Sequence, residues 1–527
     1  MNNNRTKCVI SCRKCKKNLF SAEYSILYFA ECIVLLSLRQ DIRIMSTIIG
    51  RKNELEELEK LYRSGRPEFV AVYGRRRVGK TFLIKQALKG RITFQHTGVS
   101  PVDQEGEKNR MKTQLDSFYY SLLSHGLEGF KKPKSWLEAF FQLEQLLIKL
   151  DDGSRQVVFI DELPWMDTPR SDFVSALEHF WNGWATTRKD IVLIVCGSAT
   201  SWIIEKIINN HGGLHNRLTK RILLQPFTLK ECEEFAQSHG LGMSRMQMME
   251  AYMIMGGIPY YWNFLQKGQS LAQNIDRLFF NKEGELKDEF DMLYASLFKS
   301  PENYIKVITA LGEKKAGMTR EEIISQTSMS DSGTLTKILK ELEWCGFIRK
   351  YNVLGKKVKS AIYQLIDNYT LFYFRFIRRN ENNDENFWSS SINSSLYHNW
   401  CGLSFERICL LHIPQIKQKL GIQGILSNTY SWSAKSNEEL GLPGVQIDML
   451  IDRSDQVVNL CEMKYATSGY SLTKDEEMKL RNRLEVFRTT TQTTKAIHLT
   501  MITTYGLTPN IHSGIIQTEV TMDDLFL

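Results

Sequence analysis

The chain has 527 residues, of which 43% are hydrophobic and 24% charged. That balance excludes a disordered or fibrous chain and fits three or four globular domains. The formal charge is +9, but residues 1–44 carry eight Lys/Arg against three Asp/Glu, so about +4 remains for the rest and net charge alone does not argue for nucleic acid.

Residues 1–44 are expected to be an extension outside the fold, with the first domain opening near Met45. Their apolar stretch, residues 22–38, is shorter than a membrane span and contains Glu23 and Glu31, and no small-residue cleavage site follows it. No membrane association and a cytoplasmic setting are therefore expected. Cys8, Cys12 and Cys15 are close together, but Cys32 is too distant to complete a compact zinc site. The other cysteines, such as Cys196, Cys345, Cys409 and Cys461, fall in apparent core segments and read as reduced thiols.

FVAVY (69–73) reads as a buried strand. It breaks into GRRRVGKT (74–81), and FLIKQAL continues as a helix. Strand, glycine-bearing loop and helix are the context in which G-x-x-x-x-G-K-[ST] binds nucleotide. Backbone N–H groups turn toward the phosphates, and the helix N-terminus adds positive partial charge. The expected nucleotide-binding residues are Gly74, Arg75, Arg76, Arg77, Val78, Gly79, Lys80, Thr81 and Phe82. Lys80 would reach the β- and γ-phosphates, and Thr81 would ligate Mg²⁺. A second buried strand, VVFI (157–160), ends at Asp161 and Glu162. Asp161 would hold the Mg²⁺ and Glu162 would polarise the attacking water. A third, IVLIVCGSA (191–199), brings Ser198 to its end as a γ-phosphate sensor. Arg217 would stabilise transition-state charge, either in cis or on a neighbouring subunit, which leaves a homo-oligomer open.

In this order, IIGRKNELEEL, GRRRVGKT, FIDELPW, the strand ending in GSA, NRLTKRILLQPF and GGIPYYW (256–262) resemble the prokaryotic AAA+-related ATPases near the STAND and archaeal ATPase groups, over about residues 48–265. The resemblance implies an α/β fold with a P-loop parallel sheet (45–225), a helical lid (226–299), ATP with Mg²⁺ as the bound species, and Pro259 near the nucleotide. The chain departs from the family at Asn216, where a glycine usually precedes the arginine.

From residue 301 three helical patterns follow: ENYIKVITALGE, TREEIISQTS and SDSGTLTKILKELEWCGFI. A hairpin pattern with Gly355 at its turn comes next. This is the order of a winged helix-turn-helix, expected over 300–367. Residues 301–366 hold eleven bases and seven acids. Arg349, Lys350, Lys356, Lys357 and Lys359 on the hairpin suit phosphate contacts, so sequence-independent DNA contact is expected. The third helix lacks an evident set of side chains for reading base edges. NYTLFYFRFIRR (368–379) is aromatic enough to read as core rather than as an exposed stacking platform. The polar run that follows completes a linker segment, 368–395.

In residues 396–527, QIDMLIDRSDQVVNLCEMKY (446–465) reads as two strands joined by a turn. Pairing would set Asp448 opposite Glu462, and a period of two puts Glu462 and Lys464 on one face. Two carboxylates and a lysine so placed suit Mg²⁺-dependent phosphodiester hydrolysis. The arrangement resembles the PD-(D/E)xK nuclease core, an α/β restriction-endonuclease-like fold, which implies that Glu406 on a preceding helix completes the metal site. The whole chain resembles archaeal-type ATPases with a C-terminal domain of unassigned role. The expectation is an ATP switch acting on DNA, with catalytic residues Glu162, Arg217, Glu406, Asp448, Glu462 and Lys464. The competing expectation is a STAND-type signalling ATPase whose C-terminal domains dock protein partners.

Overall fold

The computed structural model describes residues 48–100, 110–210, 212–298, 300–351, 361–434 and 444–527. The cysteines and apolar stretch of residues 1–44, and Gly355, Lys356, Lys357 and Lys359 at the hairpin tip, lie outside the described residues. Among the described residues, no helix is long and apolar enough to cross a membrane.

Five strands form the first sheet: β1 (Glu68–Tyr73), β2 (Ile92–Thr97), β3 (Gln156–Asp161), β4 (Ile191–Gly197) and β5 (Lys220–Leu223). All pairings are parallel, in the order β2-β3-β4-β1-β5. The continuous apolar runs explain this, because β3 and β4 are buried along their whole length, as strands covered on both faces must be. Alternate residues feed two cores, with Val70 and Val72 on one side and Phe69 and Ala71 on the other. Since β1 lies beside β4, and β4 beside β3, the carboxyl ends of these three strands line one edge. That edge is where a parallel sheet presents its ligand site.

A helical region follows. The helices Leu229–Ser238 and Arg245–Met255 both open with reciprocal capping boxes, Thr228 with Glu231 and Ser244 with Gln247. The next region holds helices Pro301–Glu313, Arg320–Thr327 and Gly333–Trp344, and a small antiparallel sheet. Its strands are β6 (Met318–Thr319), β7 (Ile348–Tyr351) and β8 (Ile362–Leu365), ordered β6-β8-β7. The two-residue β6 carries no readable strand pattern. The aromatic segment forms the helix Asn368–Arg375, and Tyr369, Phe372 and Phe376 are fully buried. Its rings are core, as their density implied.

The last region begins with the helix Ser395–Leu411. Its sheet contains β9 (Ser427–Ala434), β10 (Val445–Arg453), β11 (Val457–Lys464), β12 (Ala496–Thr503) and β13 (Thr518–Thr521), ordered β13-β12-β11-β10-β9. The β9-β10 and β10-β11 pairs are antiparallel; β11-β12 and β12-β13 are parallel, with the helix Lys474–Thr491 as the β11-to-β12 crossover. The sequence pattern omitted β9, whose SNTYSWSA run is polar and only partly buried.

Candidate active site

The phosphate loop joins β1 to the helix Lys80–Ala87. At Gly74, φ is +137°, and a Cβ there would meet the Leu224 carbonyl oxygen at 2.4 Å, so only glycine fits. Arg77 and Gly79 also adopt positive φ, 71° and 92°. The buried Lys80 ammonium donates to the carbonyls of Gly74 and Arg75, both at 2.9 Å. Its charge is thus held inside the loop's own curve, where incoming phosphate oxygens can replace the two carbonyls. Val78 is core and offers only its backbone, whereas Phe82 is exposed.

The acids at the end of β3 converge on this loop. Thr81 Oγ1 donates to Asp161 Oδ2 at 2.7 Å, bringing the hydroxyl and carboxylate of an Mg²⁺ pair together. This donor set fits ATP with Mg²⁺. Glu162 sits at φ 46°, a strained left-handed position of the kind that clusters at functional sites. The Ser198 backbone N–H and hydroxyl both donate to Glu162 Oε2, at 3.1 and 2.9 Å. Burial pushes the Glu162 pKa up, and the Ser198 bonds and the Lys80 charge act against that rise. Ser198 therefore positions a carboxylate that can orient and deprotonate a water.

Two of the loop's arginines reach away from the phosphate side. Arg75, 7% exposed, forms an ion pair with Asp367 and lies 4.7 Å from the centre of the Phe347 ring. Burial opposes its charge, but the Asp367 carboxylate more than offsets this and raises its pKa. Arg77 pairs with the buried Glu289 and stacks 4.3 Å from the Tyr260 ring, while the Tyr261 hydroxyl donates to Glu289 at 2.6 Å. Pro259 opens the short helix that carries both tyrosines, so it stands next to the Arg77 contact. Gly257 before it packs so closely that a Cβ would meet the Phe227 carbonyl at 1.9 Å. Arg76 is half-buried. Arg51 braces the loop from behind, donating to the Val78 carbonyl at 3.3 Å. Arg51, Asp367, Glu289 and Tyr260 were missed by sequence reasoning. Arg51 and Tyr260 had a local signal, lying within the motif that opens the domain and within GGIPYYW, whereas Asp367 and Glu289 had none.

Arg217 is exposed, and among the described residues its side chain makes no hydrogen bond or ion pair, so a cis contact with the loop is not formed. Asn216 takes φ 55°, the conformation that favours glycine and that asparagine tolerates better than most residues.

The expected second metal site is not assembled. Continuation of the Met449–Cys461 register would set Asp448 opposite Glu462, but the β9-β10 pairing is bulged between Ile447 and Leu450. Ile447 and Leu450 both feed the core under the helix Lys474–Thr491, whereas Met449 feeds the opposite one. Asp448 accepts a 2.8 Å bond from Gln446 and lies in the field of Glu406 and Arg407, which belong to the helix Ser395–Leu411. Glu462 points to the other side, ion-paired with Arg483 of the helix Lys474–Thr491 and with Lys464 at 3.0 Å. Glu406 is itself paired with Lys315 at 2.9 Å. Among the described residues, no three His, Cys, Asp or Glu side chains group to hold a metal. Strict alternation, assumed from the sequence, fails at the bulge.

Residues 48–264 match the family described as an ATPase domain predominantly from Archaea. An uncharacterized protein of Methanocaldococcus jannaschii is 27% identical over 371 residues, covering 68% of this chain and 76% of that protein. An uncharacterized ATP-binding protein of the same organism is 46% identical over 43 residues, 8% of this chain and 73% of its own. Among solved structures, the Walker-type ATPase of Pyrococcus abyssi aligns with a TM-score of 0.46 at 17% identity, over 62% of this chain and 96% of that one.

Proposed function

We propose that this ATP-hydrolysing chain, whose residues 48–264 match an ATPase domain predominantly from Archaea, is a nucleotide-driven switch acting on DNA. The observation that carries this reading is the buried pair between Arg75 of the phosphate loop and Asp367, immediately beyond the hairpin of β7 and β8. Phosphates entering the loop change the field around Arg75 and Arg77 and draw the Lys80 ammonium off the Gly74 and Arg75 carbonyls. The partners of the two arginines, Asp367 and Glu289, carry that change to the hairpin region and to the lid.

We take the region of 300–367 as a winged helix. Lys337 and Lys340 are exposed on its third helix and Lys350 on its hairpin, which suits sequence-independent phosphate contact. The element order of 396–527 suits a nuclease-like fold. Glu406, Glu462 and Lys464 are already ion-paired, and Asp448 and Glu462 lie on different sides of the sheet, which favours a module that engages nucleic acid without cutting it. In the mechanism, Mg²⁺ held at Thr81 and Asp161 supplies charge neutralisation for phosphoryl transfer. Lys80 binds phosphate oxygens, and Glu162, oriented by Ser198, takes the proton of the attacking water.

Labelled duplex DNA, titrated by fluorescence anisotropy with ADP or with a non-hydrolysable ATP analogue, tests this. The expected result is salt-dependent binding whose affinity differs between the two nucleotide states. DNA binding that ignores nucleotide, or no binding at low salt, favours the STAND-type reading, in which the same modules dock a protein.

A further inference from the structure

Neither nucleotide turnover nor the Arg75–Asp367 and Arg77–Glu289 pairs use the basic end of the aromatic segment. Arg375 ends the helix Asn368–Arg375, and Arg378 and Arg379 sit in the turn Ile377–Arg379. Among the described residues none of the three makes a side-chain hydrogen bond or ion pair, and Arg378 has only the Phe374 ring, 5.9 Å away. Elsewhere Arg75, Arg77, Arg188, Arg245 and Arg277 are all matched with carboxylates.

The three arginines line a cavity of about 410 Å³ between the helices Pro301–Glu313, Asn368–Arg375 and Ser395–Leu411. Lys315 and Arg407 also line it, giving five basic side chains against two acids, Glu313 and Glu381. Two further walls are unsatisfied donors. Arg407, 5% exposed, donates one Nη to the Lys315 carbonyl at 2.8 Å but has no partner for Nε, and Trp400, 2% exposed, has none for its indole N–H. Native proteins rarely leave such groups unpaired. Burial pulls the Arg375 pKa down, and the neighbouring Arg379 adds to this.

We propose that this cavity binds a phosphate-bearing ligand of nucleotide size, separate from the ATP at the phosphate loop. Guanidinium forks match phosphate oxygens in bidentate geometry. The volume falls in the range of small-ligand pockets. Phe374, Leu371 and Trp400 supply an apolar wall against which a base can lie, with the acids at hand for its amino groups. The phosphate can come from a free nucleotide or from one nucleotide of a DNA strand. This proposal does not depend on the DNA reading above.

The test uses the full chain carrying Lys80→Ala, which silences the phosphate loop. Two probes are titrated by fluorescence: ADP bearing a methylanthraniloyl label, and a labelled single-stranded oligonucleotide. The same titrations are run after adding R378E/R379E, two exposed positions whose replacement is expected to leave the melting temperature unchanged. At least one probe is expected to bind, and R378E/R379E is expected to weaken it by about tenfold or more, since it both removes and repels phosphate contacts. In the otherwise wild-type chain the same pair should leave ATP turnover within about twofold. Loss of ADP binding identifies a free nucleotide as the source; loss of oligonucleotide binding identifies a strand. Absence of binding by both probes, or equal binding with and without R378E/R379E, overturns the proposal.

Discussion

Arg75 and Asp367 form a buried ion pair across 292 residues of sequence. Asp367 is also the N-cap of the helix Asn368–Arg375, accepting the Thr370 backbone N–H at 3.0 Å. One carboxylate therefore ends a helix and holds the phosphate loop. A second pair, Arg77 with Glu289, repeats the arrangement at the helix Glu289–Leu297.

Removing one partner of the buried pair should be costly. Asp367→Asn leaves the Arg75 guanidinium buried without a counter-charge and is expected to destabilise the protein by about 3–5 kcal/mol. The double variant Arg75→Met/Asp367→Leu, which buries no charge, should recover most of that loss while abolishing any nucleotide dependence of DNA binding. Chemical denaturation checks the first outcome and anisotropy the second.

Binding and turnover should separate. Lys80→Ala is expected to abolish ATP binding, whereas Glu162→Gln keeps binding and slows turnover by roughly 10²–10⁴-fold. Phosphate release measured beside labelled-nucleotide binding decides this. Undiminished release by Glu162→Gln would remove Glu162 from the mechanism.

The pH profile of turnover should report Ser198. The Glu162 carboxyl is held up by burial and drawn back down in part by the Ser198 bonds. Ser198→Ala deletes one of those bonds, so the carboxyl pKa rises further. The acidic limb of the rate profile should move to higher pH, with little change on the alkaline side.

Stability should fall in mild acid. His412 accepts the Leu229 backbone N–H at Nε2 (3.1 Å) and donates from Nδ1 to the Ile408 carbonyl (2.8 Å), so it is neutral in the fold. Burial drives its pKa to about 4, and does the same for His96. Unfolding returns both to about 6.5. The unfolded chain then binds the extra protons, so stability is full above pH 6.5 and is lost as pH falls toward 4. Melting temperatures across that window should show the fall, and His412→Gln should flatten its share of it.

The C-terminal module should leave DNA intact. With Mg²⁺ or Mn²⁺ present, plasmid DNA is expected to stay uncut, because Glu462 is already bound to Lys464 and Arg483, away from Asp448. Metal-dependent nicking that Lys464→Ala removes would show that the carboxylates rearrange around an ion.

Local chemistry alone determined the nucleotide site. GRRRVGKT after a buried strand, and Asp161 and Glu162 after another, are short-range patterns tied to backbone conformation and strand burial, so Lys80, Thr81, Asp161, Glu162 and Ser198 were legible by position; Thr81 meets Asp161, and Ser198, read as a γ-phosphate sensor, instead bonds Glu162. The second group was not. Whether Asp448 faces Glu462 depends on a bulge set by pairing with β9, a strand too polar to show a pattern. The partners of Arg75 and Arg77 were equally hidden, because an arginine before a P-loop lysine reads as a phosphate ligand until distant carboxylates are seen beside it. Periodicity fixes what lies within one element, whereas which charges meet between elements is settled only when packing removes them from water and each must find a counter-charge.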